Sequence, residues 1–246
     1  LNKLSEGEHP EDAINCVVMS PTRELAQQID QQMEGFSYFM PVSSVAVYGG
    51  NDGVLFEQQK KGLTLGADVV IATPGRLIAH LSLGYVDLSK VSYFILDEAD
   101  RMLDMGFIHD IRRILKLLPQ KRQTLFFSAT MPPEIETLAN SMLTHPEKVE
   151  VTPASSTVDT ISQYVYFVEK KEKKDLLLHL LKDQSIESVL IFTRTKHGAD
   201  KLARILTKSG IRAEAIHGNK SQNARQRALT DFKNHTLRVL IATDIA

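Results

Sequence analysis

Three carboxylates fall within four residues at Asp97-Glu98-Ala99-Asp100, directly after the apolar run Val91-Ser92-Tyr93-Phe94-Ile95-Leu96. A short, bounded, β-rich apolar run reads as a buried strand of a parallel sheet. In an open α/β sheet, ligands bind in the crevice beyond the carboxyl ends of the strands. A carboxylate there can hold magnesium through water, since magnesium keeps much of its hydration shell and takes only one or two carboxylates. A second carboxylate can orient or deprotonate a water, and the pair would serve phosphoryl transfer from a nucleoside triphosphate. The plain alternative is that the acids open the next helix, at its positive dipole end. On these residues alone both readings stand.

Three further junctions share one design: Ser20-Pro21-Thr22-Arg23, Thr73-Pro74-Gly75-Arg76 and Ser128-Ala129-Thr130-Met131-Pro132 each follow an apolar strand. Hydroxyl residues favour the helix N-cap, and proline suits the first helical turn. Free amides and the positive dipole make such helix starts anion sites. Arg23 and Arg76 add guanidinium groups that pair with phosphate oxygens. Ordinary capping beside a surface arginine explains any one junction equally simply. Gly49-Gly50 is either a turn or a place where backbone approaches a ligand closely.

The elements that position these junctions alternate along the chain. Strand patterns fall at residues 15–19, 42–47, 68–72, 91–96, 123–127 and 148–151. Helical patterns fall at 23–36 (Leu25, Ile29, Met33, Phe36), 54–65, 76–82, 107–118 (Phe107, Ile111, Ile114, Leu115, Leu118) and 133–143. Residues 152–159 are rich in turn formers and read as a linker. The alternation then restarts, with strands at 163–168, 188–192, 213–216 and 237–241 and helices at 173–182, 196–208 and 222–232. This is an α/β pattern of two tandem domains with parallel sheets flanked by helices. Their expected extents are 1–152 and 161–246, joined by a linker at 153–160, with a cleft between them.

Composition narrows the class without naming it. Lys+Arg 29 against Asp+Glu 30 gives a net charge of −1, so binding to nucleic acid would use local patches and amides rather than a global field. The single cysteine, Cys16, excludes an internal disulfide framework and fits a reducing compartment. No apolar run reaches the ~20 residues of a membrane span. The first residue is Leu1 rather than Met, which reads as a fragment.

Taken together, the chain resembles the DEAD-box family of ATP-dependent RNA helicases. The resemblance rests, in order, on Pro21-Thr22-Arg23-Glu24-Leu25-Ala26, Gly49-Gly50, Thr73-Pro74-Gly75-Arg76, Asp97-Glu98-Ala99-Asp100 and Ser128-Ala129-Thr130. It continues with Leu190-Ile191-Phe192-Thr193-Arg194-Thr195, His217-Gly218 with Gln222 and Arg225, and Ala242-Thr243-Asp244. The continuation Met102-Leu103-Asp104-Met105-Gly106-Phe107 is most similar to the bacterial RhlE-like subgroup. The resemblance implies two RecA-like domains, ATP and Mg2+ as cofactors, RNA as partner, and a cytoplasmic protein without membrane attachment. RNP or ribosomal proteins would be further partners.

The resemblance also implies roles. Asp97 would hold Mg2+ through water, and Glu98 would orient or deprotonate the attacking water. Asp100 would contact Ser128 and Thr130, linking nucleotide to RNA. Thr22, Arg23, Gly50, Thr73, Gly75 and Arg76 would grip the RNA sugar-phosphate backbone, which carries affinity without sequence information. Thr193, Arg194, Gln222, Arg225 and Thr243 would be the RNA-side or coupling positions of the second domain. By its own spacing, Arg225 with Arg227 fits a solvated helix face equally well. His217 reads as a turn histidine, not a proton-transfer group. The Gly-Lys-Thr phosphate loop and the adenine-reading glutamine do not occur in these residues, nor does the later arginine-rich motif. The expectation is therefore a helicase whose 246-residue piece does not turn over ATP by itself. The rival readings are a DNA-directed or translocating helicase, and a noncatalytic RNA-binding or scaffold protein.

Overall fold

The computed structural model describes residues 1–7, 9–50, 53–150 and 161–243. The chain divides into two compact units, Leu1–Pro146 and Glu147–Ala246. The expected linker at 153–160 lies outside the described residues.

The first unit is built on a five-stranded sheet of β1 (Cys16–Met19), β2 (Ser44–Val47), β3 (Val69–Ala72), β4 (Tyr93–Leu96) and β5 (Gln123–Phe126), ordered β2-β3-β1-β4-β5. All neighbours pair in parallel, and the register sets Val47, Ala72, Met19, Leu96 and Phe126 in one row. That row marks the carboxyl edge of the sheet. Parallel strands need crossover helices, and these cover both faces. They are α1 (Asn2–Glu6), α2 (Arg23–Ser37), α3 (Gly53–Thr64), α4 (Pro74–Leu81), α5 (Ala99–Asp104), α6 (Ile108–Leu115) and α7 (Pro133–Met142).

Alternate residues of a strand face opposite sides, which is why β1 and β3 are apolar at every position. Val17, Met19, Val70, Ala72, Phe94 and Leu96 pack with Leu77, Met102, Ile111, Ile114 and Ile135 on one side. Cys16, Val18, Val69 and Ile71 pack with Leu4, Ala26 and Val42 on the other. Burial pushes the Cys16 thiol up to about 12, so it is a small core hydrophobe.

The second unit carries β6 (Val189–Thr193), β7 (Ala213–Ile216) and β8 (Val239–Thr243) in the order β6-β8-β7, again parallel. Its helices are α8 (Lys173–Leu180), α9 (Lys196–Lys208) and α10 (Gln222–Lys233). Ala199, Leu206, Val239 and Ile241 fill one side, and Ile216, Ala228 and Leu240 the other.

Three expectations need correction. Residues 163–168 form no strand, and Tyr164, Val165, Tyr166 and Phe167 are exposed, because strand propensity without a neighbour to pair leaves the ladder unmade. Residues 148–150 are likewise irregular, and residue 151 lies outside the described residues. Helix α4 starts at Pro74, two residues earlier than the spacing implied, because proline takes the first turn.

Candidate functional site

The carboxyl edge of the first sheet gathers the chemistry-bearing residues. Each of strands β1 to β4 hands its last carbonyl to the amide just beyond a neighbouring strand. Ser20 N donates to Ala72 O at 2.9 Å, Thr73 N to Val47 O at 3.0 Å, Asp97 N to Met19 O at 3.0 Å and Phe127 N to Leu96 O at 2.8 Å. Four separate junctions are therefore fixed side by side along one edge.

Beyond β4, Asp97 Oδ1 accepts from the Glu98 amide at 3.0 Å. Glu98 occupies the left-handed region, φ 51° and ψ 53°, at the N-cap of α5. A non-glycine residue there is uncommon and strained. The twist turns the chain from strand to helix within one residue and leaves the Glu98 side chain exposed. Partial burial of its carboxyl, followed by the negative charges of Asp97 and Asp100, raises the Glu98 pKa against the opposing pull of Arg101. A carboxylate of raised pKa is a stronger base.

Asp100 is the hub of the next layer. Its Oδ2 accepts from Thr130 N at 2.9 Å and Thr130 Oγ1 at 2.8 Å, and its Oδ1 from Arg101 N at 3.1 Å. Its own amide donates to Ser128 Oγ at 3.2 Å, while Ser128 Oγ donates to Thr130 O at 2.7 Å. Ala99 N reaches Phe127 O at 3.0 Å. Partial burial raises the Asp100 pKa, but the hydrogen bonds from Thr130, Ser128 and Arg101 outweigh it and hold the carboxyl below its usual range. The turns after β4 and β5 thus form one hydrogen-bonded body.

Further along the edge, Thr22 caps α2 by accepting from Leu25 N at 3.2 Å. A Cβ on Gly49 would stand 3.3 Å from Arg23 Nη2, so the Arg23 guanidinium crowds the space that a side chain at 49 would take. Thr73 is buried at the start of α4, and Gly75 is exposed with open space around it. Arg76 Nε donates to Gln59 Oε1 at 2.9 Å, and the Arg76 guanidinium lies 4.5 Å over the Phe56 ring. Among the described residues, Arg76 Nη2 is buried without a partner. Burial, then the nearby positive charge of Arg23, lowers the Arg76 pKa. Two cations held close enough to disfavour each other form a place for an anion. A Cβ on Gly50 would meet Leu55 at 3.6 Å, an ordinary contact distance.

In the second unit, Thr193 pairs in register with Thr243 at the carboxyl edge, and Arg194 is exposed just beyond. Thr193 Oγ1 donates to Thr195 O at 3.2 Å, and Thr195 caps α9 by accepting from Gly198 N at 3.1 Å. Ser221 caps α10, placing Gln222 in its first turn. Arg225 is buried at 5% exposure, so the solvated-face reading fails for it and holds for Arg227. Buried His217 accepts from Asn219 N at Nδ1, 3.3 Å, and sets Nε2 3.1 Å from Asp200 Oδ2, off the line of a good hydrogen bond. Lys220 Nζ binds the other Asp200 oxygen at 2.8 Å. His217 is a turn histidine, as its spacing implied. Asp244 lies outside the described residues.

Sequence reasoning missed Gln59, His80, Phe56 and Tyr85, which surround Arg76. Their positions on α3, α4 and the following loop carry no motif, since helix-surface spacing alone does not distinguish a buried glutamine from an exposed one.

The DEAD/DEAH box helicase family matches residues 1–138, and the helicase conserved C-terminal domain matches residues 172–246. The chain belongs to the DEAD/DEAH box helicase family. It is 42% identical over 234 residues to the DEAD-box ATP-dependent RNA helicase CshA of Geobacillus kaustophilus, covering 95% of this chain and 50% of that protein. Among solved structures, S. cerevisiae Dbp5 bound to RNA and ADP BeF3 superposes with a TM-score of 0.83 at 27% identity, covering 98% of this chain and 61% of that one. A DEAD box protein of Methanococcus jannaschii gives 0.55 at 36% identity, covering 98% and 64%. The units have the RecA-like fold of these tandem-domain relatives. The chain spans about half the length of the curated relatives it matches. Bacterial relatives carry the name CshA, so the RhlE-like subgroup finds no support. No helix among the described residues is long and apolar enough to cross a membrane.

Proposed function

We propose that this chain is the core of an ATP-dependent RNA helicase that couples ATP binding and hydrolysis to local duplex unwinding or RNP remodelling. Residues 1–152 and 161–246 would be its two domains, in the cytoplasm, and the naming of the CshA relatives supports a role of that kind. The observation that carries the reading is the Asp100 carboxylate. It binds the Ser128–Thr130 turn to the turn that presents Asp97 and Glu98, on the same sheet edge as Arg23 and Arg76. A change at the acids therefore reaches the neighbouring turn through short, directional hydrogen bonds.

Asp97 suits Mg2+. A single carboxylate just beyond the carboxyl end of β4 would fit an ion that keeps most of its waters. When bound, Mg2+ neutralises charge developing on the transferred phosphoryl group. Glu98, with its raised pKa, orients the attacking water and takes its proton. Thr22, Arg23, Gly50, Thr73, Gly75 and Arg76 hold RNA by its sugar-phosphate backbone. Thr193, Arg194, Gln222, Arg225 and Thr243 are the corresponding positions of the second unit. Backbone contacts suit an enzyme acting on many RNAs, and 2′-hydroxyl contacts separate RNA from DNA.

The test is ATP hydrolysis by the full-length protein with and without single-stranded RNA. Glu98→Gln is expected to lower turnover by about 10²–10⁴-fold while ATP binding survives. Turnover indifferent to RNA, or equal stimulation by DNA, defeats the RNA-helicase reading. Absence of any hydrolysis in the unsubstituted protein favours a noncatalytic RNA-binding role.

A further inference from the structure

Behind Arg76 lies a buried polar network that no motif of the chain contains. Gln59, on α3, is 2% exposed, and His80, on α4, is fully buried. Gln59 Oε1 faces Arg76 Nε at 2.9 Å and His80 Nε2 at 3.1 Å, while Gln59 Nε2 donates to Tyr48 O at 3.0 Å. His80 Nδ1 meets the Tyr85 hydroxyl. The Phe56 ring stacks on His80 with centroids 4.2 Å apart and planes 13° apart, and it also carries the Arg76 guanidinium.

Proton directions in this network are fixed at both ends. Arginine only donates and a backbone carbonyl only accepts. Gln59 must therefore point Oε1 at Arg76 and its amide nitrogen at Tyr48 O. His80 must then donate from Nε2, and in the neutral ring Nδ1 accepts from the Tyr85 hydroxyl. Burial, followed by the adjacent Arg76 charge, lowers the His80 pKa to about 4 and so favours that neutral ring.

One end of the network is a candidate RNA grip, and the other end is the turn that carries a second. The first is Arg76. The other is the carbonyl of Tyr48, two residues before the candidate grip Gly50, in a turn where a Cβ on Gly49 would stand 3.3 Å from Arg23 Nη2. We propose that Gln59 and His80 are positioning residues for RNA, locking Arg76 to the Tyr48-Gly49-Gly50 turn so that both meet the sugar-phosphate backbone as one rigid piece. This rests on the helicase reading above. Arginine has four side-chain torsions, and fixing its Nε and its stacking plane in advance removes the ordering loss that RNA would otherwise have to overcome. Gln59 and His80 touch no RNA in this account. They act through Arg76.

The experiment measures binding of a labelled single-stranded oligouridylate to the full-length protein with a non-hydrolysable ATP analogue, across a salt series. Arg76→Ala and Gln59→Leu are each expected to weaken binding about tenfold and to flatten the salt dependence by roughly one phosphate contact. Placed in the Arg76→Ala background, Gln59→Leu should add less than about twofold, since it acts through the missing arginine. His80→Phe keeps the ring on Phe56 and removes both polar links, so it supplies a well-packed second variant. It should weaken binding about threefold, again only where Arg76 is present. Equal losses with and without Arg76 would mark a merely structural role and overturn the inference. So would an Arg76→Ala protein that binds RNA normally. An unsubstituted protein that fails to bind RNA would instead remove the helicase reading, and this inference with it.

Discussion

Removing the charge of Asp100 should loosen the turn after β5 by an amount that the geometry sets. In Asp100→Asn an amide oxygen can still receive Thr130 N and Oγ1, which both aim at Oδ2 at 2.9 and 2.8 Å, but the charge assistance is lost. Hydrogen bonds to a charged group contribute about 1.5–3 kcal/mol each when buried. Asp100 is only half-buried and Thr130 is exposed, so solvent screening brings the whole change down to ~1–2 kcal/mol. Thr130→Val deletes the hydroxyl donor and keeps the amide, costing ~1 kcal/mol. Because both substitutions act on one oxygen, and the hydroxyl bond that remains in Asp100→Asn is the weaker neutral one, the double variant should cost less than the sum of the two single losses. The Asp100 pKa is depressed in the folded protein, so its contribution is present above the unfolded pKa of about 3.9 and is lost as pH falls through the folded value. Urea unfolding of the four proteins at pH 7 and at about pH 3 reads both effects. Additive losses would refute the shared-oxygen argument. A gap between unsubstituted protein and Asp100→Asn that stays the same at about pH 3 would refute the charge.

Two further expectations concern the frame around the site. Gly66 has φ +74°, and a Cβ there would stand 2.0 Å from Asp12 O, so Gly66→Ala should destabilise the first unit by more than about 1 kcal/mol in thermal melts. An unchanged melting temperature would contradict the close approach. Cys16, with its thiol pushed up to about 12 in the core, should resist a thiol-specific reagent until the protein unfolds. Rapid modification of the native protein at neutral pH would show that the strand is not sealed.

The sheet of the first unit was legible because its central strands are covered on both faces. Cys16–Met19 and Val69–Ala72 are apolar throughout, which only a buried strand or buried helix segment can be, and their brevity decides for strand. The acidic turn after β4 was legible for the same reason, since an apolar run must end where chemistry begins. Residues 163–168 misled because Tyr164, Val165, Tyr166 and Phe167 have strand propensity, but a strand exists only by pairing, and none of the described strands takes them. Helix α5 does open at the acidic motif, as the helix-start reading of those acids had it, but its six residues are too few to show a period of their own. Arg225 looked like a solvated charge on a polar helix and is buried, because helical spacing fixes the direction of a side chain and not what packs on it. Gln59 and His80 lie 21 positions apart and were invisible, since a network joining two helices leaves no local pattern.

The left-handed backbone of Glu98 sets folding and chemistry against each other at a single position. An L residue with a Cβ is held there at ~1–2 kcal/mol relative to glycine. Selection for thermal stability alone would drift toward glycine or asparagine at 98 and, under the role proposed for Glu98, would trade away the proton acceptor. A library sorted only by melting temperature and one sorted by ATP turnover should therefore part company at this residue before any other on the sheet edge.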